Sequence, residues 1–230
     1  MTNAISFSLF GSTSLYTHGM IRNAELAPSV YPGWKVIVYA SATVPEVVTT
    51  KLEKLGAEIR GAVKGVENEM FWRFCAVGDD QFERVIIRDA DSRLNKRESA
   101  AVGHWIESGL DWHVMRDHPN HWLPISGGMW GVKTGVVDMK ELIIKSGLAS
   151  RTYDFKSGYS LDQTFLSTVI WPIARKSCLQ HDSCNRHVYP EAQPFPNGMN
   201  SDRFVGEIFE TDDKPRVENW MMRCNWKYAE

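Results

Sequence analysis

Two aspartates one residue apart, Asp89 and Asp91, follow three β-branched residues, Val85, Ile86 and Ile87, in the stretch RVIIRDADSR. A short apolar run of this kind reads as a buried strand. Carboxylates at its end are costly to bury unless a cation or strong hydrogen bonds answer them. Carboxylates at i and i+2 can reach one Mg2+ or Mn2+, directly or through water. Hard cations take oxygen ligands, and substrate phosphates complete the shell. The plain alternative is a solvated turn with an Asx cap.

Other residues could serve the same chemistry. Arg73 lies in FWRF, before that strand, and Arg88 and Arg93 flank the aspartates. A guanidinium is a fork for diphosphate oxygens, although surface ion pairing is the bland reading of each. GGMWG places Gly127 and Gly128 at a strand entry, where glycine lets backbone approach a ligand, or simply makes a bulge. MRDHPNH gathers Arg116, Asp117, His118 and His121 on a loop suited to hydroxyl recognition or to a hydrogen-bonded turn. LDQTFL puts Asp162 and Gln163 in the first turn of a helix, as a cap or as a carboxylate aimed at a substrate. CLQHDSCNRH spaces Cys178, His181, Cys184 and His187 three apart. Four ligands crowded into ten residues do not match structural zinc spacing. His181 or Asp182 as a further ligand of the Asp89/Asp91 metal is the better reading.

Alternating strands and helices must carry these groups. Strands are expected at 4–11, 34–40, 57–62, 84–89, 112–117, 127–133 and 203–210. Helices are expected at 15–27, closed before Pro28, and at 45–56, 68–78, 95–108, 138–147 and 160–170. Asn95 with Glu98, and Ser160 with Gln163, read as capping pairs. Residues 171–202, rich in Pro, Asn and Gly, read as irregular. The pattern implies an α/β protein with a largely parallel sheet, whose ligands sit beyond the carboxyl ends of the strands. The two aspartates fall at that edge.

A net charge of −2 over 230 residues argues against a general nucleic-acid or membrane-surface binder. No apolar window is long enough for a transmembrane helix. The start, MTNAISFSLFG, lacks the regions of a signal peptide and reads as the first strand. Four cysteines do not suggest a disulfide framework, so reduced thiols and a cytoplasmic setting are expected.

WRF…RVIIRDADSR resembles the Arg-then-DxD segment of GT-A nucleotide-sugar glycosyltransferases. GGMWG and LDQTFL are similar to their later donor-site and D-Q elements, and the HD at 181–182 resembles a late metal-binding histidine. The resemblance spans roughly residues 4 to 210 and extends to the compact glycosyltransferase domain of large algal viruses, which decorates the capsid glycan. It implies a GT-A-like (Rossmann-like) mostly parallel sheet flanked by helices. It implies a single domain over 1–230, with 171–230 closing the site. Activity would be metal-dependent transfer from a nucleotide sugar, a UDP-sugar by default, to a glycan or protein-linked glycan, in the host cytoplasm for a viral chain.

Carried over by residue, the resemblance implies Mn2+ or Mg2+ on Asp89 and Asp91, with His181 as a further ligand. Arg73 and Arg93 meet the donor, and Phe10, Gly11 and Ser12 meet its base and ribose. Asp117, Gly127 and Gly128 line the sugar, and Asp162 lies near the anomeric carbon. Asp162 and Asp117 are the candidate bases, a choice the sequence leaves open. Two other classes compete. A haloacid-dehalogenase-type phosphatase also places D-x-D after a strand, but on its first strand. A binding module on the same fold would recognise a nucleotide or glycan without turnover.

Overall fold

Alternation along the first strand sets up the whole molecule. In β1 (Thr2–Leu9), Ile5, Phe7 and Leu9 enter one apolar layer, and Ala4 enters the other. A strand buried on both faces must lie inside a sheet covered on both sides. The computed structural model describes residues 2–150, 161–196 and 203–216, and among them β1 is a central strand of seven.

The sheet order is β3-β2-β1-β4-β6-β5-β7. Its other members are β2 (Lys35–Ala40), β3 (Glu58–Arg60), β4 (Phe82–Ile87), β5 (Trp112–Arg116), β6 (Trp130–Lys133) and β7 (Cys178–Asp182). All pairings are parallel except those of β6, which runs antiparallel to β4 and β5. β4 and β5 therefore point the same way, and the carboxyl ends of β1, β2, β4, β5 and β7 share one edge. This is the expected α/β arrangement: a mostly parallel sheet flanked by helices.

Helices α1 (Ser14–Val30), α2 (Glu46–Lys54) and α3 (Lys96–Ser108) join one layer, with Met20, Leu52 and Trp105 fully buried in it. A 3₁₀ helix (Glu69–Gly78) and α4 (Met139–Ser146) join the other, where Phe71, Phe74, Trp130 and Phe165 pack edge to face. Sequence caps hold where expected. Asn95 Oδ1 accepts from Glu98 N at 2.9 Å, and Gly109 closes α3 in the left-handed conformation at φ 71°.

Four expectations are corrected. Helix α1 does not stop at Pro28 but runs to Val30; a proline near a helix end forfeits only one late hydrogen bond. Residues 171–182 are ordered secondary structure. α5 (Leu161–Phe165) continues through a π turn (Leu166–Ile170) into α6 (Trp171–Ala174), and β7 then adds to the sheet beside β5. The 203–210 strand does not form; that stretch makes only isolated bridges, Ser92 with Ile208 and Phe209 with Pro215. Cys184 is disulfide-bonded rather than a free thiol, whereas Cys75 and Cys178 are free. Pairing is set by what the fold brings together, which a count of cysteines does not show. Ser160, the expected cap partner of Gln163, lies outside the described residues. No helix among them is long and apolar enough to cross a membrane.

Candidate metal and donor site

β4 delivers its two aspartates to the carboxyl edge, one strand from the end of β1. Asp89 keeps 45% of its side chain exposed, so it faces solvent. Asp91 is partly buried beside it. Burial, and then the neighbouring charge of Asp89, push the Asp91 carboxyl up to about 6. Among the described residues no ion pair is made to Asp91. Arg73 and Arg216 pull the other way without cancelling that rise.

The backbone beneath is tied down on every side. Ser92 Oγ donates to Asp89 O at 2.9 Å, and Phe209 N donates to Asp91 O at 3.0 Å. From α1, Asn23 Nδ2 donates to Ser92 O at 2.9 Å and to Ala90 O at 3.4 Å. A methyl on Gly19 would collide with Ala90 O, so only glycine lets α1 lie this close.

Arg73 reaches the site from the 3₁₀ helix. Its Nη1 pairs with Asp89, and its Nη2 donates to Asp162 Oδ2 at 3.0 Å. Burial works against the guanidinium charge, and Asp89 and Asp162 outweigh it, raising the pKa above its ordinary value. Two serines of β1 fix the backbone of Arg73. Ser6 Oγ donates to Arg73 O at 2.7 Å, and Arg73 N donates to Ser8 Oγ at 3.0 Å. The small residues Ala4, Ser6 and Ser8 share that face of β1, so the 3₁₀ helix can lie against the strand.

The glycine pair completes the group. A Cβ on Gly128 would collide with the Asp89 carboxylate. One on Gly127 would lie 2.9 Å from Arg73 Nη2 and Gln163 Nε2, and 3.1 Å from Asp162 Oδ2. Arg73, Asp89, Asp162, Gly127 and Gly128 are thus brought together. On the neighbouring strand end, Gly11 N donates to Thr43 Oγ1 at 2.7 Å with Gly11 at φ 73°, and Phe10 is 42% exposed beside it. Ser12 follows in the same loop. This loop shares the edge with Asp89.

Three expected site residues are placed elsewhere. Asp117 is fully buried; Arg97 Nε and Nη2 grip both its oxygens at 2.7 and 2.8 Å, and Ser183 Oγ and Val205 N also donate to it. With its acceptors taken, it is a structural carboxylate and not a poised base. His181 lies within β7, its Nδ1 2.8 Å from His113 Nε2 and its Nε2 3.1 Å from His104 Nδ1. Both ring nitrogens are thus spent on other imidazoles, and burial lowers the His181 pKa to about 3. His181 therefore does not join Asp89 and Asp91. Arg93 turns to Asp213 Oδ1, at 3.1 and 3.2 Å, and packs over Phe209. Among the described residues no cluster of three or more His, Cys, Asp or Glu could by itself hold a metal.

Neighbouring polar residues are also structural. Arg88 is buried against Glu98, Tyr31 and Trp130 O. His118 is buried and His121 half-buried, and each accepts a backbone N–H group of their own loop. Sequence reasoning missed Asn23, Gly19, Ser6 and Ser8. The visible signals were a glycine and a polar residue on the inner face of a helix, and serines alternating within an apolar strand.

No protein-family model matches the chain, and no curated protein matches it. Solved structures similar to it include a glycosyltransferase involved in glycosylation of the major capsid of PBCV-1. That structure has 16% identity, covers 83% of this chain and 88% of its own, and has a TM-score of 0.49. Glucosyl-3-phosphoglycerate synthase from Mycobacterium tuberculosis, in complex with phosphoglyceric acid, is 11% identical over 78% of this chain and 68% of its own, at a TM-score of 0.47. A mannosyltransferase from Pyrobaculum calidifontis, in complex with GDP-Man and Mn2+, is 14% identical over 63% of this chain and 46% of its own, at a TM-score of 0.42.

Proposed function

We propose that this chain is a divalent-metal-dependent glycosyltransferase that moves a sugar from a nucleotide-sugar donor, a UDP-sugar, to a glycan acceptor. The observation that carries the reading is the state of the Asp89–Asp91 turn. Its backbone is pinned, and its second carboxylate lies close enough to the first that burial and the Asp89 charge raise its pKa to about 6 against the pull of Arg73 and Arg216. The donor set is oxygen only, which fits Mn2+ or Mg2+. Two carboxylates leave room in the shell for a diphosphate and water. Such a metal supplies positive charge to a departing nucleoside diphosphate.

The chain's own residues do the rest. Asp89 and Asp91 hold the metal. Arg73 orients Asp89 and presents a cation at the same edge, where negative charge develops on the leaving group. The loop Phe10–Ser12, fixed by Gly11 N on Thr43 Oγ1, offers an exposed ring for the base and ribose. Gly127 and Gly128 let Asp89, Arg73 and Asp162 close up against their backbone, and Asp162, anchored by Arg73, marks the sugar end. The segment 203–216 lies against the turn through Phe209 N and Asp91 O, consistent with the C-terminal part closing the site.

Incubation with a panel of nucleotide sugars tests this reading. Slow release of nucleoside diphosphate, lost in EDTA and restored by Mn2+, supports it. Release of inorganic phosphate instead identifies a phosphatase, and binding with no product identifies a recognition module.

A further inference from the structure

We infer that Asn23, on the inner face of α1, is a positioning residue that presets the Asp89–Asp91 turn for its cation. The inference rests on the metal reading of those carboxylates.

Asn23 is fully buried, 0% exposed, where a leucine or alanine would serve packing better. Its amide is spent wholly on one short stretch of chain. Nδ2 donates to Ala90 O and Ser92 O, and Oδ1 accepts from Leu94 N at 2.9 Å. These three backbone groups are two residues apart and bracket Asp91. One planar side chain therefore fixes the turn on both sides of the second carboxylate. Gly19, one turn earlier on α1, lets that side chain reach its partners.

Residues 90–94 run past the end of β4; apart from Asn23, the Ser92–Ile208 bridge, Phe209 N on Asp91 O and Arg93 Nη1 on Ser92 O hold them, and none of these reaches Leu94 N. A buried carbonyl without a partner would rotate toward one. Asn23 removes that freedom before a cation arrives. Two carboxylates that already point together need less ordering on binding, so the cation is held more tightly than by a loose loop. Groups that orient metal ligands through hydrogen bonds typically contribute ten- to a hundredfold in affinity.

The test compares wild type, Asn23→Leu and Asn23→Asp, with Met20→Ala as a control on the same helix. Mn2+ binding is followed by electron paramagnetic resonance, and Leu94 amide exchange is followed without metal. In Asn23→Leu, Leu94 exchanges faster and Mn2+ affinity falls about ten- to a hundredfold. Asn23→Asp keeps the acceptor and loses the donor, so Leu94 stays protected while affinity falls by a smaller factor. Met20→Ala lowers the melting temperature and leaves Mn2+ affinity unchanged. Equal Mn2+ affinity in wild type and Asn23→Leu overturns the inference alone. If Asn23→Leu does not fold, wild-type affinity in Asn23→Asp overturns it. A wild type that binds no Mn2+ overturns the metal reading and this inference with it.

Discussion

Asp89 and Asp91 sit at the end of β4, and Asp117 and Asp182 at the ends of β5 and β7. All four are aspartates at one sheet edge, yet they are treated in opposite ways. Asp182 accepts from Arg116 Nε at 2.6 Å, Cys184 N at 2.8 Å and Asn185 N at 2.6 Å, and it is 0% exposed. Asp117 is gripped by Arg97 in the same manner. On the β4 side the backbone is satisfied, Asp89 shares Arg73 with Asp162, and Asp91 makes no ion pair among the described residues. A buried carboxylate with every lone pair answered is architecture, because removing it strands a buried arginine. One whose backbone is locked while it lacks an ion pair of its own is a candidate for a ligand. The difference lies in partners and not in residue type.

The sharpest way to break this contrast is to substitute on both sides of it. Asp91→Asn is expected to lower turnover about a thousandfold, roughly 4 kcal/mol, by removing a cation ligand. Its melting temperature stays level or rises, since a like-charge contact is relieved. Asp117→Ala is expected to cost about 3–5 kcal/mol of stability, because Arg97 is left buried and unpaired. Denaturant unfolding and steady-state assays of both variants check the pair. A stable, active Asp117→Ala or a strongly destabilised Asp91→Asn would erase the distinction.

Acid separates the same two regions. Burial lowers the pKa of His121 and of His181 to about 3, and that of the fully buried His113 well below its ordinary value. A base whose folded pKa is depressed lends stability above its unfolded pKa, near 6.5, and that stability is lost as pH falls below it. Each imidazole is expected to forfeit about 2 kcal/mol between pH 7 and pH 5. Asp91 runs the other way: its folded pKa is raised, so its cost fades as pH falls through about 6. Urea melts across this window check the slope. In Asp91→Asn the loss on acidification is expected to be steeper by about 1 kcal/mol.

Arg73→Lys gives a smaller effect and refines the boundary. The charge remains while the fork between Asp89 and Asp162 is lost. kcat/KM for the donor is expected to fall ten- to a hundredfold, about 1.5–3 kcal/mol, with little change in melting temperature. Normal kinetics with a large drop in melting temperature would move Arg73 to the structural side.

These regions were also unequally legible in the sequence. The β4 end was readable because an apolar run followed by D-x-D is a local signal, as were the Asn95 cap and the glycine pair. β7 was not. Its residues Gln180, His181 and Asp182 are polar and buried, so the run carries no apolar signature. Their burial is tolerable only through partners 64 to 68 residues away, Arg116 for Gln180 and Asp182 and His113 for His181. The expected roles of His181 and Asp117 follow from residue type and from the family resemblance, and those long-range partners overrule them. The serines under Arg73 and the Asn23 clamp act on backbone atoms distant in sequence, which single-chain patterns do not display.

In the proposed function, Asp89 and Asp91 at the end of β4 hold a divalent cation together with a nucleoside diphosphate. Calorimetric titration of Mn2+ into the protein with saturating UDP tests it most directly. Binding is expected at a single site that disappears in Asp91→Asn and persists in His181→Gln, since His181 is hydrogen-bonded to other imidazoles. Binding that survives Asp91→Asn, or that is lost with His181→Gln while the fold is intact, would contradict it.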